Sequence, residues 1–542
     1  MKMDFDAVVV GGGHNGLIAA CYLARDGYEV ALVEAAEQLG GLSTSGPYIP
    51  EAPEHVVHPA ALDFMMIRST SIVEELGLTS HGLSLIEADP PYGYLHPTGE
   101  SVMFWRDPAR TIDDIARFSR SDADSYARFV EVLDGILEIG VPWMRTDLMR
   151  PDPREIARSL RGLGRHHKNV DDIIAFSLSS AEALVHEYFT HPATIAAVLG
   201  LAAGSAPPDA DGSGLAALVA GILHRVGSSR VRGGMQNFVT ALARVFESAG
   251  GTVFTGTPVE EIAVSGGAVQ GVRLADGRGL RSRVVLTTCD PKQTLGELLS
   301  LGDIDHRTRV RASYMPSNAS GCDVMKIDLA LSGQISFPSH ARPDGLDLRK
   351  PLLMLGTAEE TMESFAASRR GVLPTTPLVW AATPSGWDPS LAPRGQDVVY
   401  LYPAAVPREP LEGWPAVRDE MVKRTLHQAG RFIDGLDTLT FASRVETPDE
   451  RARRARTTGG GSLFHIDFGL LRSGPLRPAW GLGSYRTPVE GLFLGGSGSH
   501  PGGGVTGLPG RLSSKRAARY LSKSGDRRRW IPGAQLTQKF SR

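Results

Sequence analysis

Residues 5–41 read FDAVVVGGGHNGLIAACYLARDGYEVALVEAAEQLGG, and this stretch decides the fold. Ala7–Val10 is a short apolar, β-branched run of the kind that forms a buried parallel strand. Gly11, Gly13 and Gly16 follow it in G-x-G-x-x-G spacing, with His14 and Asn15 between the last two, and Leu17–Arg25 continues as an apolar-faced helix. In such a turn Gly11 permits the reversal, Gly13 lets backbone amides approach a pyrophosphate, and Gly16 lets the helix pack on its strand. The helix N-terminus offers unpaired N–H groups to the phosphate charge. A second strand, Glu29–Val33, ends at Glu34, where an acid accepts hydrogen bonds from the ribose hydroxyls of an adenine dinucleotide. The glycines alone are a weak signal, since glycine-rich turns are common. Strand, turn, helix, strand and acid in this order make a strong one.

Outward from there, length comes first. A chain of 542 residues is too long for one core, so two domains, or one domain elaborated by insertions, are expected. Its 42% hydrophobic and 22% charged content belongs to a globular enzyme, and a net charge of −3 gives no reason to bind nucleic acid. Cys21, Cys289 and Cys322 are far apart, with neither metal nor redox spacing. His55 and His58 stand as H-x-x-H with no acid to complete a site, so no metal is expected; pocket-facing or solvated histidines before a proline are. No apolar run is long enough to span a bilayer. A nucleotide fold starting near residue 5 leaves no room for a leader, so a cytoplasmic protein is expected, with peripheral membrane contact open.

The stretch 7–41, with Gly40–Gly41 just past the acid, resembles the N-terminus of the phytoene-desaturase-like (carotenoid dehydrogenase and isomerase type) FAD-dependent oxidoreductases, within the amine-oxidase-type flavoproteins. Many members carry arginine after the glycine pair; here Leu42 stands there, and Ser43 supplies only a hydroxyl. RGGMQNFVTALARVFESAGGTVFTGTPVEEIAV, from Arg232, resembles the family's return to the nucleotide domain, which implies an adenine-facing backbone at Val259. Tyr485–Leu521 is the most specific part: a strand Leu492–Leu494, the pair Gly495–Gly496, then HPGGGVTG entering a final helix. Glycines there let main chain lie flat against a planar ligand. The resemblance implies that Gly503, Gly504, Val505 and Thr506 close over the isoalloxazine. It covers about half of the chain.

The intervening regions carry no recognisable catalytic motif. A hairpin at 93–105, a helix at 122–140 capped by Ser121 or Asp122, and helical stretches at 170–188, 193–203 and 214–225 read as the wall of a substrate pocket. Asp323–Leu331 reads as one strand with Lys326 and Asp328 sharing a face, either solvated or at the pocket edge.

The expectation is therefore an α/β protein: a doubly wound, Rossmann-like FAD domain from 1–75, 230–305 and 456–525, interrupted by a mixed α+β substrate domain from 76–229 and 306–455, with a tail at 526–542. FAD is the expected cofactor and a small apolar, polyene or isoprenoid-like molecule the expected substrate, dehydrogenated by hydride transfer to flavin N5. The alternatives are a flavin amine oxidase, with Lys326 as the available lysine, a redox-neutral flavin-dependent isomerase, and a non-catalytic flavin binder. His500, just before the glycine loop, is the other catalytic candidate. The sequence leaves the electron acceptor and the oligomeric state undetermined.

Overall fold

A computed structural model describes residues 3–523 except 205, 459–461 and 470–471. The tail at 526–542 lies outside the described residues.

The β-branched run forms strand β1 (Phe5–Val10), followed by helix α1 (His14–Arg25) and strand β2 (Val30–Val33). A parallel sheet grows on both sides of β1. Thr252–Phe254 pairs with β2, β2 with β1, β1 with Gly279–Thr287, and the end of that strand with Leu492–Leu494. The start of Gly279–Thr287 belongs instead to an antiparallel hairpin with Ala268–Leu274, which pairs onward with Val259–Ser265. The interior of β1 is buried because both faces are covered. Helix α1, Gln236–Ser248 and Leu508–Lys523 pack one side; the hairpin and Leu295, Leu298 and Met315 pack the other. The strand order reverses at β1 and Gly279–Thr287, so the crevice at their carboxyl ends is where a dinucleotide binds in such a sheet.

A second sheet runs in the order Thr440–Glu446, Lys326–Leu331, Asp397–Pro403, Val379–Ala382, Leu352–Leu355, Tyr92–Leu95, Ser101–Phe104. All its pairings are antiparallel except Leu352–Leu355 against Tyr92–Leu95. One face packs on Trp414–Gly430 and its surroundings. Over the other, on the Tyr92 and Leu352 side, lie the helices Arg120–Met144, Ala181–Tyr188, Pro192–Ala203 and Leu218–Val226.

Four local expectations need correction. The long helix begins at Arg120, capped by Ser119, whose hydroxyl accepts from the Asp122 amide at 3.2 Å. Asp122 is buried and occupied elsewhere, accepting from the amides of Thr190 and His191. The stretch 170–188 is two helices, broken where Ser180 caps the second. Asp323–Leu331 is not one strand: Asp323 turns aside to pair with Arg451, and regular pairing restarts at Lys326. His55 and His58 are not solvated; both are buried, and burial first, then Lys326 and Arg230, depresses His58 to about 3. Among the described residues no helix is long and apolar enough to cross a membrane.

Candidate flavin site and substrate chamber

One cavity of about 1090 Å³ runs from the glycine turn after β1 into the space between the two sheets. Its first half is lined by Gly11, Gly13, His14, Asn15, Glu34, Gly40, Gly41, Ser43, Val259, Gly503, Gly504, Val505 and Thr506. These come from four separated segments, brought together by the parallel sheet. Gly16, Gly495 and Gly496, also named from the sequence, do not line it.

What each glycine's absent Cβ would meet separates two kinds. At Gly16 it would stand 1.9 Å from the Gly11 carbonyl oxygen, at Gly496 2.4 Å from that of Thr288, and at Gly495 2.9 Å from Leu286. These glycines let chain pack on chain. At Gly13 the nearest atom would be 3.9 Å away, at Gly41 3.4 Å and at Gly504 3.6 Å. Those three border the cavity without being crowded by protein, so the space beside them is free for a ligand. Gly504 has φ +91° and Val505 φ +58°, a conformation costly for a β-branched residue and typical of ligand clamps.

The polar groups fit a dinucleotide. Glu34 accepts from the Gly12 amide at 2.6 Å and the Ala36 amide at 2.8 Å, which fixes its carboxylate at the end of β2. His14 Nδ1 lies 3.1 Å from the Ser43 hydroxyl; its Nε2 has no partner, and burial depresses the ring to about 4, so it is neutral at pH 7. Asn15 donates to Ser497 at 3.4 Å, while its side-chain oxygen is buried without a partner. Amides at the start of α1, an acid on β2 and orphaned polar atoms between them suit a pyrophosphate and ribose.

The second half is apolar. Leu62, Met65, Leu201, Leu215, Val219 and Leu352 line it, together with Tyr92, Trp380, Tyr400 and Tyr402. Trp380 stands 6.2 Å from Tyr92 and 6.3 Å from Tyr402, which stacks on Tyr400 at 5.9 Å. Asp63 lines the cavity beside Tyr92. Its carboxylate accepts from the Tyr92 and Ser228 hydroxyls and the Met65 amide, and pairs at 3.0 Å with the fully buried Arg230. Sequence reading missed this cluster. Its members lie at 63, 92, 228 and 230, with no local spacing to mark them.

Neither catalytic candidate lines the cavity. Lys326 is buried, ion-paired with Asp328, and lies 3.6 Å from the centre of the Tyr400 ring, whose phenol in turn holds the Ala60 carbonyl. Lys326 and Asp328, expected either on a solvated face or at the pocket edge, are instead a buried pair behind the chamber wall; desolvation outweighs Asp328 and lowers Lys326 to about 8. His500 is also buried, with Nε2 3.0 Å from the Trp143 carbonyl, tying the glycine loop to the end of the long helix.

The profile of flavin-containing amine oxidoreductases matches residues 16–313, more than half of the chain. The chain belongs to this family. A mouse relative, pyridine nucleotide-disulfide oxidoreductase domain-containing protein 2, is 30% identical over 96% of this chain and 94% of its own length. A neurosporene-forming phytoene desaturase from Rhodobacter capsulatus is 26% identical over 93% and 92%. Among solved structures, putrescine oxidase bound to putrescine superposes with TM-score 0.61 at 17% identity, covering 96% of this chain and 99% of that one, a likeness of fold. This flavin-containing oxidoreductase takes FAD as its cofactor, and the fit of glycines, Glu34, His14 and Asn15 agrees with that.

Proposed function

We propose that this oxidoreductase dehydrogenates an apolar, polyene- or isoprenoid-like substrate at a carbon–carbon bond. One observation carries the reading: the cavity that begins at the glycine turn continues past a wall that is mostly aliphatic and aromatic, although Arg444, Arg453, Arg454 and Arg456 also line the cavity. Such a wall binds hydrocarbon by removing it from water, at about 25 cal/mol per Å² of apolar surface buried. The resemblance to a phytoene desaturase supports the same substrate class.

When bound, FAD supplies the hydride acceptor. The chain's own residues do the rest. The start of α1 and Gly13 would hold the pyrophosphate, Glu34 the ribose, and the Val259 backbone the adenine. Gly503, Gly504, Val505 and Thr506, ahead of Leu508–Lys523, would hold the ring. Trp380, Tyr400 and Tyr402 orient the substrate and exclude water. On this reading residues around the first sheet form the FAD domain and those around the second the substrate domain. Peripheral membrane contact belongs to the proposal too: Leu160 and Leu163 are exposed among Arg154, Arg158, Arg161 and Arg165 on the helix Pro153–Arg165. The protein works in the cytoplasm, at the membrane face.

The test is purification, an absorption spectrum, and anaerobic reduction with a panel of polyenes, isoprenoids and amines. Bleaching of the bound flavin by an apolar member supports the reading. Reduction by amines alone, with peroxide on aeration, overturns it in favour of an amine oxidase.

A further inference from the structure

Arg477 is a buried cation with no ion pair among the described residues. It is 1% exposed, and among the described residues no carboxylate lies within ion-pair distance. Other deeply buried arginines differ: Arg230 pairs with Asp63, Arg342 with Asp114, Arg451 with Asp323 and Arg516 with Asp147. Arg477 donates only to main chain. Nη1 reaches the carbonyls of Asp467 at 3.0 Å and Arg472 at 3.3 Å; Nη2 reaches those of Phe464 at 3.0 Å, Ile466 at 2.7 Å and Ser497 at 3.0 Å. Its Nε has no acceptor. Both Asp467 carboxylate oxygens are taken by the amides of Asn318 and Ala319. Burial pulls the guanidinium down to about 10, which leaves it cationic at neutral pH. The Asp467 carboxylate opposes that shift only in part and from beyond ion-pair distance, and a buried cation with no close counter-charge is costly.

This charge sits directly behind the flavin half of the cavity. Ser497, whose carbonyl it holds, lines that cavity. Arg477 Nε lies 3.6 Å from the position of a Cβ on Gly502, and Phe464, another of its carbonyl partners, packs on Gly503. The loop's main chain and the ring of Phe468, which lines the cavity with the guanidinium 4.7 Å from its centre, are what stand between charge and cavity.

We infer that the close counter-charge is the cofactor's: Arg477 is a positioning residue whose field favours the negative charge that FAD gains on reduction, and so raises the flavin's reduction potential. This rests on the FAD reading. Two electrons enter the flavin from substrate or reductant, and the positive field acts more strongly on the reduced than on the oxidised form. An arginine that served only to gather carbonyls would leave the potential unchanged.

The experiment measures midpoint potential by dye equilibration, and FAD dissociation constant by titration, for the wild-type holoprotein, Arg477→Met and Arg477→Lys. The wild type is expected to hold reduced FAD at least about tenfold more tightly than oxidised FAD, a midpoint about 30 mV or more above free FAD for a two-electron couple. Arg477→Met should lose at least that factor of about ten, and Arg477→Lys, which keeps the charge but not the fork, should retain most of it. A folded Arg477→Met with the wild-type ratio overturns the inference. So does an equal loss of affinity for both oxidation states, which would assign the charge to the phosphates. Should neither variant fold, a wild-type midpoint at or below that of free FAD overturns it and one above supports it. A wild type that binds no flavin at all would defeat the FAD reading itself.

Discussion

The two halves of the cavity are built by opposite means. The flavin half is made of absences: glycines at 13, 41 and 504 keep main chain close to the ligand space, and those at 16, 495 and 496 let chain lie on chain. The chamber half is made of presences: large side chains at 92, 215, 352, 380, 400 and 402, drawn from distant segments. An absence at a tight turn is dictated by its immediate neighbours, so it leaves a short motif. A wall residue is dictated by whatever stands across the chamber, hundreds of positions away.

The sharpest way to break that comparison uses two glycines of one motif. Gly16→Val should cost more than about 4 kcal/mol and leave little folded protein, because its Cβ would overlap the Gly11 carbonyl at 1.9 Å. Gly13 has φ −67°, open to any residue, and free space beyond it. Gly13→Ala should therefore fold within about 1 kcal/mol of wild type yet weaken FAD binding at least about tenfold. Thermal unfolding with and without FAD checks both. Equal behaviour of the two variants would erase the distinction.

That distinction also explains what could be read without a structure. Glycine spacing, Glu34 and the strand at 492–494 are local, and they placed the crevice. Glycine spacing did not say which glycines face a ligand, since Gly495 and Gly496 read like Gly503 and Gly504. The Asp63 cluster was invisible because its charge partner is 167 positions away, a separation visible only once folded. Lys326 and Asp328 alternate like a solvated strand, and only the covering chain around His58 and Tyr400 buries them.

In the chamber half, the next largest effect is expected at Asp63. Asp63→Ala leaves Arg230 charged, buried and unpaired, which costs about 3–5 kcal/mol. The double variant Asp63→Ala with Arg230→Met should recover much of that loss, because removing both charges removes the desolvation penalty. Denaturant titration of the four proteins gives the coupling. A single variant as stable as wild type would show that the pair contributes nothing to the chamber wall.

Acid should act in part through His500, which ties the glycine loop to the end of the long helix. Burial depresses His500 from 6.5 to about 4, the Trp143 carbonyl opposing only in part. The unfolded chain therefore binds this proton between pH 6.5 and 4 while the native protein does not. Stability is full above pH 6.5 and falls as the pH drops toward 4, by about 3 kcal/mol at the limit for this one group. His500→Gln should flatten that slope. Urea midpoints measured at intervals from pH 7 to 4 on the apoprotein decide it; an unchanged slope would assign the acid sensitivity to the other buried histidines.

The smallest effect tests whether the glycine loop belongs to the flavin half at all. Gly504 stands at φ +91° with only Met66 near its missing Cβ, at 3.6 Å. Valine there meets no hard protein obstacle, so the protein should fold, with about 1–2 kcal/mol of backbone strain. Its methyl groups would instead occupy ligand space and hold the ring away from the amides before Leu508–Lys523. Those amides favour the charge that develops on reduction more than the oxidised ground state, and losing one such donor costs on the order of 3 kcal/mol. A partial displacement forfeits part of that, so substrate-driven reduction should slow at least about tenfold, with a lowered potential and weaker FAD retention. Rapid mixing at full FAD occupancy separates this from cofactor loss. If Gly504→Val is reduced at the wild-type rate and potential, the ring does not rest on this loop, and the positive-φ Val505 beside it must owe its strain to packing alone.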